Sequence, residues 1–267
     1  MLNKKALERL YTLYNKREFV HPDPLEFLYN YPNKRDREIV GLIASSLAYG
    51  RVAQILKSTA FVLDKLGSSP YAFITGSSDK KILSAVPNFK HRFHTESDIT
   101  SLILGIKGAL KRHGSLEACF LKGLANKEGC NSALSFFVGD ISHGRNVSMI
   151  SSPEKGSACK RLNLFLRWMV RHDDVDPGGW DKVSPSELIV PLDTHMHKIG
   201  ILLQATKRKQ ANMATAVEIT DAFREISPQD PVKYDFALTR FGIRSDLGGM
   251  VELAGRTLSE RLPSGGR

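Results

Sequence analysis

Two ionisable groups in this sequence stand where side chains can do covalent chemistry. Lys160 opens the apolar run Lys160-Arg161-Leu162-Asn163-Leu164-Phe165-Leu166-Arg167-Trp168-Met169, and Asp193 lies 33 residues further on, in Pro191-Leu192-Asp193-Thr194-His195-Met196-His197-Lys198-Ile199-Gly200. A neutral amine can displace a leaving group at a sugar carbon and form an imine there, while an ionised carboxylate stabilises the cation that develops. Together they could break a glycosidic bond. An ordinary lysine titrates near ~10.4, so only about one in a thousand is neutral and nucleophilic at pH 7.4. Arg161, Arg167 and partial burial at a helix N-terminus are each expected to push the Lys160 value down.

Both groups depend on helices to place them. At about 100° per residue, Lys160, Asn163, Arg167 and Arg171 share one narrow face of a helix whose remaining faces carry Leu162, Phe165, Leu166, Trp168, Met169 and Val170. A cationic stripe on a largely buried helix follows; periodicity alone also allows a merely solvated face. Asp193 stands just ahead of a second helical pattern (Met196, Ile199, Leu202, Leu203), the position from which an aspartate caps free backbone N–H groups. A carboxylate held at a helix N-terminus also stays ionised at neutral pH, so capping and electrostatic stabilisation need the same geometry.

The helical period extends over most of the chain. Residues 4–14, 36–49, 52–66, 100–112, 115–124, 131–141, 159–171, 194–205, 213–226 and 231–241 all show apolar residues at i, i+3, i+4. No segment alternates as a strand should, so the fold class is all-α. Breaks are expected at His21-Pro22-Asp23-Pro24, Gly67-Ser68-Ser69-Pro70, Gly76-Ser77-Ser78, Ser151-Ser152-Pro153 and Asp176-Pro177-Gly178-Gly179.

Composition narrows the partner. The 267 residues carry 38 Lys and Arg against 28 Asp and Glu, a formal net charge of +10. Such an excess suits a polyanion and predicts salt-dependent binding, because each neutralised phosphate releases counterions. The three cysteines, Cys119, Cys130 and Cys159, form no Cys-x-x-Cys pair, so neither a structural zinc site nor a four-cysteine cluster is expected, and no metal or other cofactor. The start Met1-Leu2-Asn3-Lys4-Lys5 has no signal-peptide pattern, and the longest uncharged stretch, 39–50, is short of a membrane span. A cytoplasmic monomer that makes no contact with membranes is expected.

With these residues in view, Leu192-Asp193-Thr194-His195-Met196-His197-Lys198-Ile199 resembles the Val-Asp-Thr-His or Val-Asp-Val-His-Met signature of the helix-hairpin-helix DNA glycosylases, the superfamily of endonuclease III and the 8-oxoguanine DNA glycosylases. The Lys-to-Asp spacing is close to that of the archaeal 8-oxoguanine enzymes. More narrowly, the chain is similar throughout to an uncharacterised bacterial family of that superfamily, with its lysine-arginine-asparagine-phenylalanine helix, Pro-Leu-Asp-Thr-His and Lys-Tyr-Asp-Phe-Ala-Leu-Thr-Arg.

The resemblance implies base-excision repair of double-stranded DNA: a glycosylase and AP lyase that removes an oxidised purine, 8-oxoguanine, through a lysine Schiff base. Lys160 matches the nucleophile and Asp193 the catalytic aspartate. His195 matches a residue lying against the DNA backbone. Asp235, in Lys233-Tyr234-Asp235-Phe236-Ala237-Leu238-Thr239, matches an acidic residue of the base pocket, and Arg167 replaces a lysine seven residues after the nucleophile. Tyr49-Gly50-Arg51 falls where these enzymes place a loop that probes the gap left by the flipped base. The usual Leu-Pro-Gly-x-Gly hairpin is missing; in Ile150 to Ala158 only Gly156 can supply a phosphate-binding glycine. Thr239 stands where a tryptophan stacks on the base, leaving Trp168, Phe165 or Trp180 for that task. The implied architecture is two helical lobes around a DNA cleft, one of residues 34–179 and the other of 1–33 with 180–267.

Two other functions fit parts of the sequence. His143, His172-Asp173 and Asp235 or Asp246 imitate the His…His-Asp…Asp pattern of metal-dependent phosphohydrolases of the HD type. A basic cleft without chemistry would make the chain a DNA-binding module. His195 and His197 are two apart, so on a helix they point about 200° from each other and do not form a metal pair.

Overall fold

The computed structural model describes residues 2–125 and 129–244, and its architecture is mostly helical. Asp246 of the phosphohydrolase pattern lies outside the described residues. In chain order the helices are α1 (Lys4–Tyr14), α2 (Lys34–Ser46), α3 (Val52–Leu66), α4 (Pro70–Gly76), α5 (Asp79–Leu83), α6 (Glu96–His113), α7 (Leu116–Leu124), α8 (Gly129–Ile141), α9 (Lys160–Val170), α10 (Thr194–Leu202), α11 (Met213–Arg224) and α12 (Asp235–Arg244). No helix among the described residues is long and apolar enough to cross a membrane.

Local chemistry explains where these helices begin. Side chains of Asn3, Asn33, Ser115 and Asn212 accept hydrogen bonds from first-turn N–H groups of α1, α2, α7 and α11. Thr95 and Asp98 form a reciprocal capping box, which starts α6 four residues earlier than apolar spacing suggests. The expected breaks at 67–70 and 76–78 separate helices, and two short helices that apolar spacing does not announce, α4 and α5, begin where they end. Ser69 caps α4 with Pro70 in its first turn, and Ser78 caps α5, so the polar residues read as loop are the start signals. The expected absence of strands is also corrected. Lys90–His91 (β1) and His94–Thr95 (β2) form an antiparallel hairpin, too short to show alternation in the sequence.

One continuous cluster of buried apolar side chains runs from Leu7 to Leu238. Within it α9 packs on α2, and α6, α7 and α8 pack together; α12 packs on both α1 and α10. The α6–α8 crossing is close enough that a Cβ at Gly105 would lie 2.4 Å from the Ile141 carbonyl oxygen, so only glycine fits there. Glu38 of α2 is buried and accepts hydrogen bonds from the N–H groups of Leu116 and Glu117 and from the Trp180 indole, fixing α7 and the 171–193 segment to α2.

The aromatics expected to stack on a base belong to this core. Phe165 is 0% exposed, Trp168 1% and Trp180 2%; Phe165 stacks on Phe137 and meets Trp180 edge-on, and Phe120 lies tilted against the Trp180 ring. Their apolar area drives folding, and none of the three presents a face to a ligand.

Candidate active site

Lys160 is the first residue of α9 and Asp193 the N-cap of α10. Their side chains meet with Lys160 Nζ 3.1 Å from Asp193 Oδ2. The other carboxylate oxygen, Oδ1, accepts from the N–H groups of His195 (2.9 Å) and Met196 (2.8 Å). One carboxylate therefore caps a helix with one oxygen and holds the amine with the other. Burial raises the Asp193 carboxyl, but the Lys160 ammonium, the Met196 N–H and the nearby His195 outweigh it and leave the group below the usual carboxylate range.

The approach to Lys160 is strained. Cys159, at φ +46°, occupies the left-handed region that a side chain with a Cβ rarely adopts. Its N–H donates to Ser157 Oγ (3.1 Å) and its thiol to the Ser151 carbonyl (3.2 Å), bonds that hold the turn. Burial pushes the Cys159 thiol up to about 11, so it is no competing nucleophile. Arg161 donates to the carbonyl of Ser46, the last residue of α2, satisfying a helix-end acceptor and tying the start of α9 to the α2 terminus.

Lys160 and Asp193 open into a cleft of about 650 Å³, lined also by Tyr49, Gly50, Arg92, Ser151, Ser157, Arg161 and Thr194. Three cationic side chains, Arg92, Lys160 and Arg161, face one carboxylate there. Tyr49 and Gly50 thus share a cleft with the lysine and the carboxylate. Arg51 is exposed at the N-cap of α3 and His195 is exposed in the first turn of α10. Gly156, at φ +72°, ends a single 3₁₀ turn, Pro153–Lys155, in the segment between α8 and α9, next to the cleft-lining Ser157. Arg92, Ser151, Ser157 and Arg161 were not singled out as site residues: Arg92 sits on the unforeseen hairpin, and serines in a loop carry no periodic signal.

Arg167 and Asp235 are not placed to touch a substrate. Arg167 is 4% exposed and Asp235 5%. Arg167 pairs with Asp235 through Nη1 and with Asp176 through Nε (3.2 Å), and Arg171 pairs with Asp176, with Asp173 (2.8 Å) and with Asp230 (2.9 Å). The expected cationic stripe is therefore buried and neutralised, and only its Lys160 end reaches the cleft. Burial, against the pull of Arg167, raises the Asp235 carboxyl to about 6, and the Asp193 charge adds to the rise. The Arg167–Asp235 ion pair ties α12 to α9.

Among the described residues, His143, His172, Asp173 and Asp235 do not come together as a group of ligands. Asp173 is engaged by Arg171, the Tyr11 hydroxyl and the N–H groups of Val175 and Asp176, and His172 bonds the Pro177 carbonyl. Among the described residues, one group of three His, Cys, Asp or Glu ligand atoms lies within 4.8 Å: His113, Cys119 and Asp140. Asp140 is held by Arg112 at 2.7 Å and by His113 at 3.0 Å, so its carboxylate clasps α8 to the end of α6.

The double use of Asp193 gives a test. Asparagine keeps the capping acceptor and loses only the charge, so at pH 7 Asp193→Asn should lower the thermal midpoint less than Asp193→Ala, in which loss of the cap alone should cost about 1 kcal/mol of stability. The depressed carboxyl contributes stability that is present above its unfolded value of 3.8 and lost as pH falls through the lower folded value. The gap between wild type and Asp193→Ala should then narrow in acid to what the cap alone contributes; a midpoint equally low for both variants at pH 7 would show that the charge, not the cap, holds α10.

No curated protein and no solved structure is similar enough to the chain to count as a match. A family model described as a protein of unknown function, DUF2400, matches residues 23–244, most of the chain, and the protein belongs to that family.

Proposed function

We propose that this protein is a base-excision DNA glycosylase with AP lyase activity. The observation that carries the reading is the Lys160–Asp193 pair, an amine 3.1 Å from a carboxylate, presented by two helix starts in an open, cation-lined cleft. A carboxyl held below the usual range is ionised throughout the neutral range, which suits stabilisation of positive charge on a sugar better than proton abstraction.

A base inside a duplex must first be rotated out, at a cost of a few kcal/mol. Asp193 then stabilises the charge that develops on the sugar as the C1′–N bond weakens. The Lys160 amine, deprotonated, bonds to C1′, and the base leaves with the bonding pair and takes up a proton. Opening of the sugar ring places a proton on O4′ and leaves a C1′=N imine. Loss of a 2′ proton then breaks the C3′–O bond and releases the 3′ phosphate; water hydrolyses the imine and frees Lys160.

An oxidised purine, 8-oxoguanine, is the substrate to try first. That choice rests on the resemblance in sequence, since Asp235, the residue implied for the base edge, is taken up by Arg167.

None of these steps uses a metal. Incubated with borohydride and EDTA, the protein should form a covalent adduct with a duplex carrying 8-oxoguanine or an abasic site. An adduct with the abasic duplex alone would keep the lyase and change the lesion. No adduct with either, despite binding, would leave a DNA-binding module and sink the enzymatic reading.

A further inference from the structure

The tip of the β1–β2 hairpin carries two locally unfavourable residues. Arg92 sits at φ +54°, a backbone region where glycine or asparagine is at ease and arginine is strained. Phe93 beside it is 82% exposed, the most exposed large hydrophobic side chain among the described residues. Local preference fails twice in succession here, and such failures concentrate where function requires them.

The flanks of this tip are locked. His91 is fully buried; its Nε2–H donates to the Tyr49 carbonyl (3.1 Å) and its Nδ1 accepts from Ser58 Oγ of α3 (2.9 Å). The Tyr49 hydroxyl donates to the His91 carbonyl (3.1 Å) and also meets His94 Nδ1. The Tyr49 ring lies edge-on to both imidazoles, with the Arg161 guanidinium 5.0 Å from its centroid. Tyr49 is thus committed to supporting the hairpin and is not free to probe a duplex. Arg92 lines the cleft that holds Lys160 and Asp193, and Phe93 is the next residue along the turn, its ring in solvent with the Arg92 guanidinium 5.3 Å from its centroid.

We infer that Phe93 is the side chain that enters the DNA base stack, filling the space left when a base is drawn toward Lys160. The inference rests on the DNA reading above. An exposed aromatic ring on a locked hairpin, with arginine beside it, suits an unstacked base step in chemistry: the ring recovers apolar burial against the neighbouring bases, and the arginines meet the phosphates. Three cations against one carboxylate in the adjoining cleft favour this polyanion over an apolar protein surface.

The test uses a duplex with an unreactive tetrahydrofuran abasic site flanked by 2-aminopurine, and the full-length protein. Wild type should raise the fluorescence of 2-aminopurine as the step is unstacked. Phe93→Ala should lose that rise and bind about tenfold more weakly, and Phe93→Trp should restore both. Because Phe93 is exposed, an unchanged thermal midpoint will show that Phe93→Ala is folded. Equal affinity and equal fluorescence for wild type and Phe93→Ala would overturn the inference while leaving DNA binding intact, and would assign the ring to a protein partner. No binding by wild type would remove the DNA reading itself, and this inference with it.

Discussion

Lys160→Gln is expected to give no borohydride-trapped adduct with either an 8-oxoguanine or an abasic duplex, and to slow strand cleavage by at least about a thousandfold, because an amide nitrogen cannot form the imine on which every later step depends. The fold should survive. Lys160 is 35% exposed in its side chain, its ion pair with Asp193 is partly solvated, and such pairs contribute about 0–1 kcal/mol. The capping bonds of Asp193 run through its other oxygen and are untouched. Binding should weaken only through the loss of one positive charge, so the salt dependence of the affinity for an abasic duplex should fall by at most about one counterion. Trapping, single-turnover cleavage and a salt titration on the same preparation separate these effects. An adduct that persists in Lys160→Gln would place the nucleophile elsewhere and remove the central observation from the proposal.

The second large effect is on stability. Arg167→Met should cost about 3–5 kcal/mol in urea unfolding, because it leaves the carboxylates of Asp176 and Asp235 facing each other in the core without their shared cation. Asp235→Asn should be the milder change, since it keeps an acceptor for Arg167 and spares the burial of a charge. The pH dependence has a definite sign. The folded Asp235 carboxyl is raised from 3.8 to about 6, so the folded state holds that proton more tightly, favouring folding in acid and less so as pH rises through this window. Without Arg167 the preference for the neutral form grows, so the Arg167→Met deficit should be smaller at pH 5 than at pH 7. A deficit independent of pH would mean that lost packing, not an uncompensated charge, dominates. Any catalytic loss in Arg167→Met that remains where it is fully folded would reflect misplacement of Lys160 on α9 relative to Asp193.

Much of the helical framework was legible because its signals are local. The helices over Lys4–Tyr14 and Val52–Leu66 start and stop where apolar spacing places them. Asp193 was readable as a cap because capping depends on the next three residues alone. The breaks at Ser69 and Ser78 were legible too, but the helices they cap, α4 and α5, are seven and five residues long, too short for apolar spacing to announce. Local signals failed altogether at the β1–β2 hairpin, whose two-residue strands have no period to detect.

By itself, the sequence determined that the chain is mostly helical, that it is cationic, and that an amine and a carboxylate stand at two helix starts. Tertiary structure alone decided what those charges face. Arg167 and Arg171 lie on one helix face with Lys160, and nothing within α9 distinguishes them from it. Their partners, Asp230 and Asp235, come from a distant segment, while Asp176 is delivered by a turn. Those carboxylates bury two cations and leave Lys160 in the cleft beside Asp193. A side chain's intrinsic charge is fixed by its type, but its solvation and its partners depend on which remote segments pack against it.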